Sequence, residues 1–322
     1  AGLTGAAITD TVAIGKIMIP EMKRQGYDAE YAAAITACSS IIGPIIPPSV
    51  VMVVYATLLR DISVIDLFAG GIIPGLLMAL ALLGVSFFLA IKRGYPKQAP
   101  TPLKVAALSF LMALPAMIVP LIILGGILSG LTTITEASGF AAIYTIFIGV
   151  VFYRNLTWRK IWNALVITVR FSGVVFFLLA TSAVLGWFVT RSGIARDAAG
   201  LITTFSDSAF LQLMAVCVLL IIVGTVMDVL PALVVVAPVL VPAMIQLGFD
   251  PLHFAILMIV VLNISNVTPP VGMTLMTAAR IANVPYERAI IASLPFYVAF
   301  IIVILLLAAF PALSTWIPSL LR

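Results

Sequence analysis

Between Ala289 and Ala312 the chain runs 24 residues without Asp, Glu, Lys or Arg, and the stretches 107–128 and 171–190 are equally free of charge. A transmembrane helix needs about 20 consecutive apolar residues, and a β-barrel strand about 10 with alternating polarity. These runs are solid rather than alternating, so helices are the spanning element and a barrel does not fit. Composition agrees: 63% of residues are hydrophobic and 9% are charged, where a soluble domain has roughly 45–50% and 25%. Tandem soluble domains, a nucleic-acid binder and a disordered chain are excluded. The formal charge of +5 belongs to membrane-flanking loops. There is no HExxH or GxSxG motif for a membrane hydrolase. Cys38 and Cys217 lie in apolar surroundings and read as small buried hydrophobes rather than a disulfide.

Apolar runs between punctuation give about ten membrane-embedded segments: 6–22, 30–59, 66–91, 107–128, 136–153, 171–190, 208–224, 229–247, 252–283 and 289–312. The two at 208–247 are short and closely joined, which points to a re-entrant hairpin. The cluster Lys92, Arg93, Lys97 and Lys104 sets the cytoplasmic side. Tracing outward, 13 of the 17 Lys and Arg fall inside, among them Lys23, Arg24, Arg280 and Arg288, and 4 outside: Arg60, Arg191, Arg196 and Arg322.

The chain also repeats itself. An offset of 222 residues, the separation of Gly26 and Gly248, lays Pro20 on Pro242, Met22 on Met244, Gly26-Tyr27-Asp28 on Gly248-Phe249-Asp250 and Pro47-Pro48 on Pro269-Pro270. One residue of slippage later, Asp66 meets Glu287 and Pro74 meets Pro295. The charge trace puts the first of the matched loops inside and the second outside, so the halves are inverted copies. Inverted repeats with interrupted helices mark secondary transporters, with sites near the midplane.

The interruptions have a physical cause. Pro44, Pro47 and Pro48 remove three backbone donors, and Pro269 and Pro270 remove two, so both helices must open. Freed carbonyls in hydrocarbon cost several kcal/mol each unless protein, water or an ion satisfies them. Hydroxyls stand around the first break and hydroxyls and amides around the second, the oxygen ligands that hard cations prefer. Glycine-bearing turns, Gly2-Leu3-Thr4-Gly5 and Gly224-Thr225-Val226-Met227-Asp228, should each meet their own broken helix.

The stretches GLTGAAITDTVAIGKIMIPEM, SSIIGPIIPPS, LIILGGILSGLTTITEAS, GTVMDVLPALVVVAPVLVPAMIQLGFDP and NVTPPVG resemble the large membrane subunit of tripartite ATP-independent periplasmic (TRAP) transporters across essentially the whole chain. Family members are usually longer at the N-terminus, so the first arm of hairpin one is expected upstream of residue 1. The resemblance implies an all-α, inverted-repeat, elevator-type importer of organic acids in the bacterial inner membrane, driven by Na+. It also implies a small four-helix membrane subunit and a soluble periplasmic binding protein as partners.

By motif position, the resemblance assigns one sodium site to Gly2, Thr4, Gly5, Ser39, Ser40 and Gly43, and a second to Gly224, Asp228, Asn263, Ser265, Asn266 and Thr268. Substrate would lie between them, touching Thr4, Ser40, Thr225, Asn266 and Thr268. Asp228 reads equally as a helix N-cap and as an intramembrane functional acid. Its repeat mate is Ala6, not Asp10, so the two sites differ chemically. Glu136 reads as a helix-start cap, His253 as an interfacial polar residue, and Trp158–Arg170 as an interfacial brace. The organisation expected is a first repeat over 1–91, a cytoplasmic linker 92–106, scaffold spans 107–207, a second repeat 208–312 and a tail 313–322. The alternatives are an ion channel, which would need a continuous polar path, and a non-transporting scaffold subunit, which would have no use for two broken helices. The lack of a buried arginine cluster favours a sugar-acid monocarboxylate over a C4-dicarboxylate.

Overall fold

The computed structural model describes residues 5–59, 62–96 and 102–321. Among these residues the chain forms fourteen α-helices and no strand: α1 (Ala7–Arg24), α2 (Ala29–Ser40), α3 (Val50–Leu58), α4 (Val64–Lys92), α5 (Leu103–Leu128), α6 (Ile134–Phe147), α7 (Trp158–Ser192), α8 (Ile194–Phe205), α9 (Ala209–Val226), α10 (Val229–Gln246), α11 (Pro251–Ser265), α12 (Met273–Ala282), α13 (Tyr286–Ala309) and α14 (Ala312–Leu321). A π-helical turn, Ile148–Phe152, extends α6. Seven helices, namely α4, α5, α6 with its π turn, α7, α9, α10 and α13, are long and apolar enough to cross a bilayer. The exposed Leu83, Phe87, Phe88, Val298, Ile301 and Ile302 on α4 and α13 then face acyl chains rather than water.

Two compact units divide the chain. The smaller ends at Phe177 and contains α5, α6 and the start of α7. Thr133 caps α6, accepting from the Glu136 backbone N–H while the Glu136 carboxylate accepts from the Thr133 N–H at 2.8 Å. This reciprocal box is the capping role expected for Glu136. Tyr144 and Tyr153 tie α6 and its π turn to α5, donating to the carbonyls of Pro115 (3.1 Å) and Met112 (2.8 Å). α7 continues unbroken for 35 residues, about 52 Å at 1.5 Å per residue. The expected brace and the span after it are therefore one helix.

The larger unit holds α1–α4, the outer part of α7, and α8–α14. Its repeat shows in the secondary structure, most clearly in where the helices start. α1 and α10 both have 18 residues and start 222 apart, as do α2 and α11, and α4 and α13. The turns after α1 and α10 close identically. Gly26 (φ 88°) and Gly248 (φ 86°) take the left-handed conformation. The following N–H reaches back to Met22 O at 3.0 Å in one copy and to Met244 O at 3.1 Å in the other. This is the Schellman C-cap, where glycine avoids the Cβ penalty.

The copies run in opposite senses. Lys23, at the end of α1, donates to Ala282 O at the end of α12 (3.1 Å), and Glu30 in α2 lies 3.6 Å from Arg288 in α13. At the same end Asp28 accepts from both Arg93 (3.1 Å) and Tyr95 (2.7 Å) beyond α4. The start of α2 and the end of α12 thus meet, so α2–α3 leaves the end at which α11–α12 arrives. This end gathers Lys23, Arg24, Lys92, Arg93, Arg280 and Arg288, as the positive-inside trace requires. Outside the spans, burial and the Asp28 carboxylate that takes its proton push the Tyr95 hydroxyl up to about 12, while the hydrogen bond to Tyr95 raises Arg93.

α11 is the central helix, buried on every face from Leu252 to Ser265, as a helix apolar all round must be. α12 packs on α1 and α2, and α3 on α10, so the repeats interlock. Two elements differ from expectation. The expected 313–322 tail is a helix, α14, packed on α4, and the outer loop expected before 208 contains α8, packed on α10. His253, expected at an interface, is only 2% exposed, because α14 covers it and its Ser314 hydroxyl lies 2.7 Å from His253 Nδ1.

Candidate functional site

Both helix pairs open where the prolines dictate. α2 ends at Ser40, and α3 restarts at Val50, capped by the Ser49 hydroxyl, which accepts from Met52 N at 3.2 Å. Between them lie Pro44, Pro47 and Pro48, with the Pro47–Pro48 bond cis. α11 ends at Ser265 and α12 restarts at Met273, and the Pro269–Pro270 bond is likewise cis. Each gap is held from behind by the long helix that follows it. A Cβ on Gly71 of α4 would overlap Ile45 O, so α4 lies hard against the first gap. At the second, α13 donates instead: Tyr297 Oη to Val267 O (2.8 Å) and Tyr286 Oη to Val271 O (2.7 Å).

The glycine-bearing turns meet the gaps. Gly5 (φ 68°) accepts from Val50 N at 3.4 Å, and a Cβ there would stand 2.6 Å from Pro48 O. Gly5, the described residue of the first turn, therefore meets the α3 lip of its gap. Gly2 and Thr4 lie outside the described residues. In the second copy Gly224 presses on α11 so closely that a Cβ would overlap the Ser265 hydroxyl. Asp228 caps α10, accepting from Val229 N at 2.8 Å, and the same oxygen accepts from Asn266 Nδ2 at 3.1 Å. The N-cap reading of Asp228 is thus met, and the same oxygen ties the arm to the broken helix.

The donor inventory is one-sided. Ser40 donates to Thr36 O (2.7 Å), Ser265 to Leu262 O (2.6 Å), Thr268 to Ile264 O (2.9 Å) and Thr225 to Ile222 O (2.8 Å). Ser39 donates to Thr36 O at 3.1 Å. A hydroxyl that gives its proton to its own helix offers only lone pairs elsewhere. Asn263 Nδ2 likewise donates to Ile259 O at 2.8 Å. Its Oδ1, with Asn266 Oδ1 and Thr274 Oγ1, is buried without a hydrogen-bond partner. Asn263 and Asn266 thus each leave a carbonyl oxygen unpaired beside the second gap, acceptors that suit a positive charge, and the Thr274 hydroxyl just beyond it is unpaired as well. Among the described residues no group of three or more His, Cys, Asp or Glu could hold a metal. Among them too, no hydrogen bond joins Ser40 to Thr225, Asn266 or Thr268, the residues expected to share substrate. Ser49, Thr274, Tyr286 and Tyr297 are additions to the expected set. Only Ser49, a serine just before a helix start, carried a sequence signal.

Over residues 1–313 the chain matches the family described as Tripartite ATP-independent periplasmic transporter, DctM component. It belongs to this family. It is 35% identical over 319 residues to the sialic acid TRAP transporter large permease protein SiaM of Vibrio cholerae, covering 99% of this chain and 74% of that protein. It is 33% identical to the sialic acid TRAP transporter permease protein SiaT of Haemophilus influenzae (99% and 52%). It is 32% identical to the C4-dicarboxylate TRAP transporter large permease protein DctM of Pseudomonas aeruginosa (99% and 74%). The chain thus spans about half the length of SiaT and three quarters of the other two. TRAP membership and seven candidate spans make it a multi-pass protein of the bacterial inner membrane.

Proposed function

We propose that this chain carries out sodium-coupled import of an organic acid handed over by a periplasmic binding protein, working with a small four-helix membrane subunit. The observation that supports this best is the second gap, where a turn seals a broken helix through Asp228 and Asn266 beside three buried, unpaired oxygens. In this reading α9–α10 is a re-entrant hairpin and α1 is the second arm of its counterpart. One Na+ binds at Gly224, Asp228, Asn263, Ser265, Asn266 and Thr268, with Thr274 added. The other binds at the first gap. The hairpins and broken helices then carry substrate across as an elevator, against the remaining spans.

Among the described residues no Lys or Arg is buried, which favours an acid of single charge, such as the sialic acid in the names of two relatives. With two Na+ per monoanion, one net charge crossing 100 mV yields about 2.3 kcal/mol. An assumed tenfold sodium gradient adds about 1.4 kcal/mol per ion. The sum of about 5 kcal/mol would sustain accumulation of several thousand-fold.

The test is uptake into proteoliposomes holding the full permease and its partners, with labelled sialic acid and C4-dicarboxylates offered on their binding proteins. Uptake that proceeds equally without a sodium gradient refutes the coupling. Asn266→Ala should raise the sodium half-saturation concentration, and an unchanged value places the second site elsewhere.

A further inference from the structure

Within the larger unit α7 meets α10 at two points, four residues apart on each helix and in the same order along both. Ser182 on α7 is 2% exposed, and its hydroxyl donates to Val234 O on α10 at 3.0 Å. That carbonyl is available because the residue four further on is Pro238, which has no N–H to give it. One turn along α7, Gly186 faces Pro238: a Cβ on the glycine would lie 3.9 Å from the proline Cβ. The pattern then recurs on α10 alone. Pro242 stands four residues beyond Pro238, so Pro238 O also lacks its helical partner. Beside it is a cleft of about 480 Å³ lined by Thr57, Ser182, Gly186, Trp187, Pro238 and Pro242.

We propose, building on the transport cycle above, that α7 and α10 form a two-position ratchet. In the observed register Ser182 holds Val234 O and Gly186 accommodates Pro238. In the second register α10 has moved one turn inward, so that Ser182 holds Pro238 O and Gly186 accommodates Pro242. Four residues correspond to a slide of about 6 Å with about 40° of rotation. Each register gives Ser182 one proline-freed carbonyl and leaves the other without its helical partner, so the two exchange like for like. A helix with one proline would have only one such position. One-turn steps of packed elements are a known form of bistable switching.

The test uses the full permease with its partners, in a background lacking Cys38 and Cys217. Gly186→Cys with Pro238→Cys fits disulfide geometry, whose Cβ separation is about 3.5–4.5 Å. Its oxidation should stop uptake, and reduction should return it to the level before oxidation, itself lowered because Pro238→Cys gives Val234 O a helical N–H. Full uptake after quantitative cross-linking overturns the ratchet. Pro242→Ala gives Pro238 O a helical partner and so weakens only the second register. Uptake should fall about fivefold, the equivalent of one hydrogen bond. A merely structural proline predicts equal or better performance, and that result overturns the ratchet. Ser182→Ala should slow uptake by a similar factor and Ser182→Thr should restore it; equal rates in the two overturn the role of the hydroxyl. Register is also read without transport. Gly186→Cys with Pro242→Cys should cross-link in membranes cycled between NaCl and choline chloride. If this pair never forms while uptake is intact, the ratchet is wrong. If it forms in membranes that take up no acid, the ratchet stands and the transport function is wrong.

Discussion

Asp228 is the residue on which the second turn depends. One oxygen caps α10 and takes the Asn266 amide proton, so the arm cannot restart correctly without also engaging the broken helix. Asp228→Asn keeps an acceptor at both partners but removes the charge. A charge-assisted bond exceeds a neutral one by about 1 kcal/mol, so the sodium half-saturation concentration should rise severalfold with the protein still folded, as measured by uptake against Na+. Gly224→Ala acts differently, forcing a methyl into the Ser265 hydroxyl. Overpacking of this kind costs about 1–3 kcal/mol and should appear as a lower melting temperature in detergent, together with lost uptake. The tyrosines at the basic end give a pH handle. Tyr95 is raised by burial and by the Asp28 carboxylate, so its neutral form is favoured by folding. That contribution is complete below pH 10 and is lost as pH climbs through about 12. In difference spectra against Tyr95→Phe, the phenolate signal should appear near the upper value, and Asp28→Asn should move it downward.

At the scale of elements, the two gaps share one design but are braced by different means: backbone contact from α4 in the first, phenol hydroxyls from α13 in the second. Tyr297→Phe should cost about 1 kcal/mol for its lost bond to Val267 O. It should also weaken sodium dependence more than Tyr286→Phe, since Tyr297 is further fixed by Ser293 Oγ at 2.7 Å. These braces were not legible in the sequence, because they reach the gap from 15 and 30 residues downstream and a tyrosine in a span reads simply as apolar. The breaks themselves were legible, because proline chemistry is local. So were the long spans, because hydropathy alone fixes them. α8 and α14 escaped because they are short and α8 carries Arg196 and Asp197, so a search for spans passes over them. With α14 unseen, His253 read as interfacial. Which lip of the gap Gly5 meets is a matter of three-dimensional approach, and the order of residues does not encode it.

For the whole molecule, the interlocked inverted copies make a direct claim about sidedness. Arg24 and Gln246 occupy matching places at the ends of α1 and α10. In cells lacking Cys38 and Cys217, Gln246→Cys should react with an impermeant maleimide from the periplasm, and Arg24→Cys only after lysis. Labelling of both from one side would mean the repeats are parallel. The same pair shows where sidedness is written. Helix starts, the glycine turns after α1 and α10, and the proline breaks coincide in both copies, so the backbone plan is indifferent to which way up it is inserted. Where the first copy has Lys23 and Arg24, the second has Ile245 and Gln246. Up and down are therefore carried by a few cations laid over a reversible scaffold. Moving two charges from one loop to its twin should be the shortest mutational route to a protein that inserts both ways.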